Sequence, residues 1–171
     1  MVAITLSEAK LHCRVDINDD DALIAQLINA AVNHVEQITG WVTTSQMYTK
    51  LIKKIPEIIR LPLWPVTAIT AIEVIGATTQ NVASDFDIDL TERPAKVIPL
   101  SKSFNVATGE TLLIAYTAGE ADIPDGMRQA VLMLVAHWYE NREAIVVGTI
   151  SSEVSLGVNQ LLSPYMARRL A

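Results

Sequence analysis

Two runs of acids, three histidines and a single cysteine are the residues of this chain that could do chemistry. The first run, Asp16-Ile17-Asn18-Asp19-Asp20-Asp21, copies the opening half of a calcium loop in its 16, 18 and 20 spacing. The copy fails twice: the sixth position, where the sharp turn needs Gly, is Asp21, and the twelfth, where a bidentate Glu closes the loop, is Leu27. These acids read instead as a solvated link that caps the helix after it and favours its dipole. In the second run Asp85, Asp87 and Asp89 alternate with Phe86, Ile88 and Leu90. That spacing sets successive carboxylates about 7 Å apart on one face of a half-exposed strand. Fanned carboxylates on a flat strand make a poor ion cage, and they read as a solvated face that discourages edge aggregation.

His137 and Glu140 lie at the i, i+3 spacing by which bundle helices offer metal ligands. A di-metal site needs the motif again on another helix, and no second copy exists. His12 and His34 could complete a three-helix cluster, but the second helix supplies no carboxylate partners, so a satisfied core histidine is the simpler reading. Cys13 follows His12 directly, and consecutive helical residues point too far apart to pair as nucleophile and base. There is no G-x-S-x-G elbow, no phosphate-cradling Gly-rich loop and no dinucleotide fingerprint. No catalytic, cofactor-binding or metal-ligating residue is assigned, and the sequence offers no enzyme.

The elements that must position these residues are organised around residues 124–148. Their middle, residues 130–139, is apolar on every side except at His137. Positions 127, 131, 134 and 138 follow the helical period while Leu132, Val135 and Tyr139 load a second face, so this helix should be enclosed by others. Pro124 and Asp125 are start signals and Gly148 a stop. A membrane span needs about 20 apolar residues in a row, and Glu140-Asn141-Arg142-Glu143 ends this run too early. Two helices precede it. One runs from Thr5 or Ser7 as cap to about Arg14; the other spans residues 20–39, with Leu23, Leu27, Ala30 or Ala31, His34 and Ile38 along one stripe, Ile24, Ile28 and Val35 beside it, and Gly40 as C-cap.

From Gln46 the period changes to two, and candidate strands cover residues 47–55, 58–61, 67–75, 85–90 and 111–118. Short strands with no helix between them cannot make parallel crossovers, so the sheet should be mostly antiparallel. Residues 149–157 are polar and Ser-rich and are expected to be mobile; a last helix, residues 159–170, carries Leu161, Leu162, Tyr165 and Leu170 on one side and Arg168 and Arg169 near its end. The fold class is therefore α+β: a small helical bundle, residues 5–40 and 124–171, with an inserted, mostly antiparallel β-sheet at about residues 46–118, in one domain. Trp41 and Trp64 are open to two readings, as anchors of a protein interface or as filling between helices and sheet.

A chain of 171 residues can bury a core without staples. Its net charge of -6 disfavours a general nucleic-acid binder. One cysteine, Cys13, cannot make an internal disulfide, and the first ten residues lack the basic and apolar regions of a secretion signal, so the chain is expected to be cytoplasmic when made.

The order of elements and a set of short motifs resemble the head-tail connector (adaptor) proteins of tailed bacteriophages and gene transfer agents. The likeness rests on Leu6-Ser7-Glu8-Ala9-Lys10 with Arg14-Val15-Asp16, on Asp20-Asp21-Ala22-Leu23-Ile24, and on Glu36 with Thr39-Gly40. It continues through Leu61-Pro62-Leu63-Trp64-Pro65-Val66, Tyr116-Thr117-Ala118-Gly119 with Pro124, Gln129-Ala130, His137-Trp138-Tyr139-Glu140-Asn141-Arg142-Glu143 and Leu161-Leu162-Ser163-Pro164-Tyr165. Where that family often has Arg after the Pro-Tyr pair, this chain has Met166, with Arg168 and Arg169 beyond.

The resemblance implies a structural protein of the virion head-tail junction, made in the bacterial host cytoplasm and assembling as a ring of about twelve subunits beneath the portal. Its partners would be itself, the portal protein and a stopper or tail-completion protein; DNA would pass through its channel without specific binding, and neither a membrane nor a cofactor is implied. A net acidic chain suits a channel along which phosphates must slide. The C-terminal helix would dock on the portal after ordering. Two other classes stay open: a small metal-dependent enzyme using His137, Glu140 and another His, and a soluble regulatory binding module.

Overall fold

The computed structural model describes residues 4–76, 78–120, 122–141 and 150–166. Its contacts divide the chain into a helical unit, formed by the two ends of the sequence, and a sheet unit, Thr44–Glu120, inserted between them in sequence. The class is α+β, as the periodicities predict.

In the helical unit α1 (Leu6–Cys13) starts where the Thr5 hydroxyl accepts the Glu8 N–H at 3.2 Å and ends at Arg14, whose left-handed φ of 57° turns the chain out of the helix. α2 (Asp21–Thr39) closes on Gly40 at φ 72°, with the Gly40 N–H donating to Glu36 O at 2.8 Å. A residue without Cβ takes that conformation without steric cost. The buried row of α2 is Ile24, Ile28, Ala31 and Val35, and His34 is exposed. The stripe expected through Leu23, Leu27 and His34 is thus rotated by about one position.

α3 (Asp125–Glu140) packs against α1, α2 and α4 (Ile150–Leu162), as its two apolar faces require. Met127, Ala130, Val131, Leu132, Leu134 and Val135 are buried, each of the larger ones contributing about 1.5–3 kcal/mol. The helix ends at Glu140, earlier than the expected stop at Gly148. The Asn141 amide donates to His137 O at 2.8 Å, offering that carbonyl a side-chain partner at the helix end; Arg142, Glu143 and Gly148 lie outside the described residues. The bounds expected for the last helix, residues 159–170, are corrected: α4 already begins at Ile150 and ends at Leu162, and Val158 and Leu162 are buried, while Thr149 lies outside the described residues. α4 stops at Leu162 because Pro164 has no N–H to give, and the Ser163 hydroxyl donates to Gln160 O at 2.9 Å instead. Ser163–Tyr165 form a short 3-10 turn, while Arg168, Arg169 and Leu170 lie outside the described residues.

The sheet unit holds two antiparallel sheets rather than one. The first, in spatial order β1 (Gln46–Ile52), β7 (Thr111–Ala118), β3 (Val66–Ile75) and β4 (Gln80–Asn81), has β7 at its centre, paired Lys50 to Ile114 on one side and Ile72 to Ile114 on the other. The second has β2 (Ile59–Arg60), β6 (Lys96–Pro99) and β5 (Phe86–Asp89) in that order. β4 and β6 have no counterpart among the expected strands, and Asp85 belongs to a short 3-10 turn before β5 rather than to the strand. Ile59, Leu61, Ile72, Val97, Leu112 and Ile114 are the centre of this unit's core. Gly119, at φ 122°, brings its backbone so close to Thr44 that an added Cβ would lie 2.4 Å from the Thr44 carbonyl oxygen.

Candidate functional site

Of the acids of the α1–α2 link, Asp20 and Asp21 are drawn into the helical unit, while Asp16 and Asp19 stay exposed. Lys10 Nζ donates to Asn18 Oδ1 at 2.7 Å and to Asp21 Oδ1 at 2.6 Å, while Tyr139 OH donates to Asp20 Oδ2 at 2.6 Å. Asp20 occupies the N-cap position of α2 without a side-chain capping bond, which corrects the expectation that these acids cap the helix. A third link joins α1 to α3: Arg128 Nη1 donates to both carboxylate oxygens of Glu8, at 3.1 and 3.0 Å. These tethers were not legible in sequence, because Glu8 and Arg128 stand 120 positions apart. Charge-assisted bonds of this kind fix how helices are placed beside each other.

The histidines do not come together as ligands. His137 is half-buried at the end of α3, its Nδ1 3.2 Å from the Asn141 amide nitrogen. The His34 ring meets Trp138 edge-on, with centroids 6.2 Å apart, and His12 and Glu140 are exposed. Among the described residues no three His, Cys, Asp or Glu side chains are grouped so as to hold a metal ion. Burial, and secondarily the charge of Glu140, push the Cys13 thiol above its ordinary pKa, which lowers its thiolate fraction and nucleophilic power.

In the sheet unit Asp89 accepts from the Thr91 N–H at 2.9 Å and the Thr91 hydroxyl at 2.6 Å. Those bonds, hydroxyl first, hold its carboxyl below the usual range. Asp85 and Asp87 stay exposed. Trp41 and Trp64 are both buried, Trp41 at 5% exposure in the helical unit and Trp64 at 2% in the sheet unit with the Arg93 guanidinium 4.1 Å above its ring. The interface-anchor reading is therefore corrected: the large exposed apolar residues are Leu11, Ile17, Met47, Leu51, Leu100 and Leu156, among others. An open groove of about 290 Å³ beside β2 is lined by Ile55, Pro56, Ile98 and Phe104 with Glu57 and Lys102. Among the described residues no helix is long and apolar enough to cross a membrane.

The side chains singled out for chemistry thus serve as ties between elements or as surface charge, in an α+β module with a helical unit at its two chain ends and an antiparallel unit inserted between them. Within that class, the chain belongs to the head completion protein family, whose model matches residues 3–155. No curated protein matches the sequence. Among solved structures it is similar to a chain in the neck of an empty gene transfer agent (GTA) particle determined with C6 symmetry, at 24% identity and a TM-score of 0.76, covering 99% of this chain and 92% of that one. A chain in the virion of a native GTA particle matches at 23% identity and a TM-score of 0.77, covering 99% and 92%. A chain in the neck of a native GTA particle determined with C12 symmetry matches at 22% and 0.74, covering 99% and 91%. At these identities the likeness is one of fold.

Proposed function

We propose that the chain is a structural head-tail connector of a tailed phage, prophage or gene transfer agent, with both units acting as one connector domain. It assembles as a ring under the portal, extends the DNA channel and offers a surface to stopper or tail proteins. The observation that carries this reading is the end-to-end fold likeness to neck chains, over 99% of the chain, together with membership of the head completion family. The C6 and C12 symmetry of the necks it resembles supports a ring, and a heterologous interface that closes gives a ring of fixed size. The net charge of -6 suits a lumen that lets phosphates slide.

Negative-stain electron microscopy across a concentration series, paired with light-scattering mass, tests it. Rings with a central hole are expected, either from the chain alone or after co-assembly with the portal protein of the same genome. Chains that remain monomeric under both conditions would sink the reading. Portal docking by the C-terminus is tested by removing residues 167–171, because a longer deletion would remove the buried Val158 and Leu162 and unfold what it means to probe. Undiminished co-sedimentation with the portal would reject a role for that end.

A further inference from the structure

Resting on that ring reading, we propose that neighbouring copies meet through opposite ends of the three-stranded sheet, the basic β2 end of one copy against the acidic β5 end of the next. Residues 53–60 hold Lys53, Lys54 and Arg60 against the single acid Glu57, whereas residues 85–92 hold Asp85, Asp87, Asp89 and Glu92 and no base. In a chain with net charge -6 these are the two most sharply sorted stretches of the sheet unit.

The register turns that sorting into geometry. Arg60 on β2 pairs with Lys96 on β6, and Lys96 pairs with Asp89 on β5, so one cross-strand row runs from base to acid across the sheet. β6 is the middle strand, leaving β2 and β5 as opposite edges. Several described charges are used inside their own units: Glu8 with Arg128, Lys10 with Asp21, Lys96 with Glu92, Arg93 over Trp64. Lys53, Lys54, Arg60, Asp85 and Asp87 are exposed, and among the described residues their side chains make no such bond. Charge held out of internal pairs at two opposite edges, with opposite sign, matches what a second copy of this chain would present. Because the patches differ, the contact is heterologous and propagates head to tail, as a ring requires. Complementary potentials of this kind set partner choice and register.

The test uses full-length chains with one edge reversed. The K53E/K54E/R60E variant is acidic at both edges, and D85K/D87K/E92K, which leaves Asp89 as the one acid of its stretch, is basic at both. Each alone is expected to need roughly tenfold or more protein for half-assembly in sedimentation velocity, given the cost of apposed like charges. An equimolar mixture is expected to recover assembly, since each variant then completes the other in alternation; that recovery also shows both variants folded. If wild-type rings form and neither variant weakens them, or mixing rescues nothing although circular dichroism shows both variants folded, this interface is overturned while the ring reading stands. Wild-type chains that assemble neither alone nor with the portal overturn the ring reading and this one with it.

Discussion

The helical unit ties its helices together with several of its charges, and the sheet unit keeps many of its own outward. Lys10, Asp20, Asp21, Glu8, Arg128 and Tyr139 tie α1, α2 and α3 to one another across long sequence separations. In the sheet unit Lys53, Lys54, Arg60, Asp85 and Asp87 stand exposed, and so do Met47 and Leu51, at 67% and 63%, on the strand β1 at the edge of its sheet. The contrast in how charge is used teaches where assembly can act without disturbing a core: a contact made through Lys53, Lys54, Arg60, Asp85 and Asp87 costs none of the ion pairs described above.

The largest blow to the comparison falls in the sheet core. Trp64→Ala removes a side chain that is 2% exposed and covered by Arg93, and is expected to cost about 3–5 kcal/mol in urea unfolding. A cost under about 1 kcal/mol would mean that the sheet unit is loosely packed throughout and not only at its edges. Gly119→Ala follows, with φ 122° and a Cβ that would overlap Thr44. An expected loss of about 2–3 kcal/mol would show the return of β7 to be as tightly specified as any helix cap.

Smaller effects sharpen the contrast. Glu8→Ala strands the half-buried Arg128 and should lower stability by about 1 kcal/mol, whereas Lys53→Ser should shift it by under about 0.5 kcal/mol; equal costs in parallel melts would erase the distinction between inward and outward charge. Smallest is the pH response of Asp89. Its folded pKa lies below the ordinary value, so its stabilisation is present above about pH 3.9 and fades as pH falls through the folded pKa. Thr91→Val removes the hydroxyl and leaves the backbone N–H, so a carboxyl-detected NMR titration should move Asp89 part of the way back up. No movement would locate the cause elsewhere.

What was legible in sequence follows the range of the physics involved. Gly40 as a C-cap, Thr5 as an N-cap and the enclosure of α3 are local, carried by one residue's dihedrals or by a 3.6-residue period. β7 was found with its observed bounds because Thr111–Ala118 is a β-branched and aromatic run behind a Gly turn. β6 was missed because Pro94 and Pro99 bracket four residues and blur their alternation, and the start of α4 because serines at 151, 152 and 155 mask a helix whose buried anchors, Val158 and Leu162, come later. The ties of the helical unit had no signal at all. Lys10 with Asp21 and Arg128 with Glu8 are decided by packing, and a single sequence records only that each charge exists. The burial of Trp41 and Trp64 is of the same kind, since an aromatic run looks alike at a core and at an interface.

Lys50 carries a consequence of its own. It sits within β1 on the face shared with Ile114, its long stem half-buried, with burial holding its ammonium's pKa below the ordinary lysine value, and its Nζ donates to the backbone oxygen of Arg60. One side chain thereby blunts two open rims: a charge turned inward on β1 discourages strand addition there, and the carbonyl that β2 would offer to an incoming strand is already taken. In the ring proposed above, copies would then join by side-chain charge while cross-β growth is refused, so that the assembly would close as a particle and not run on as a fibre.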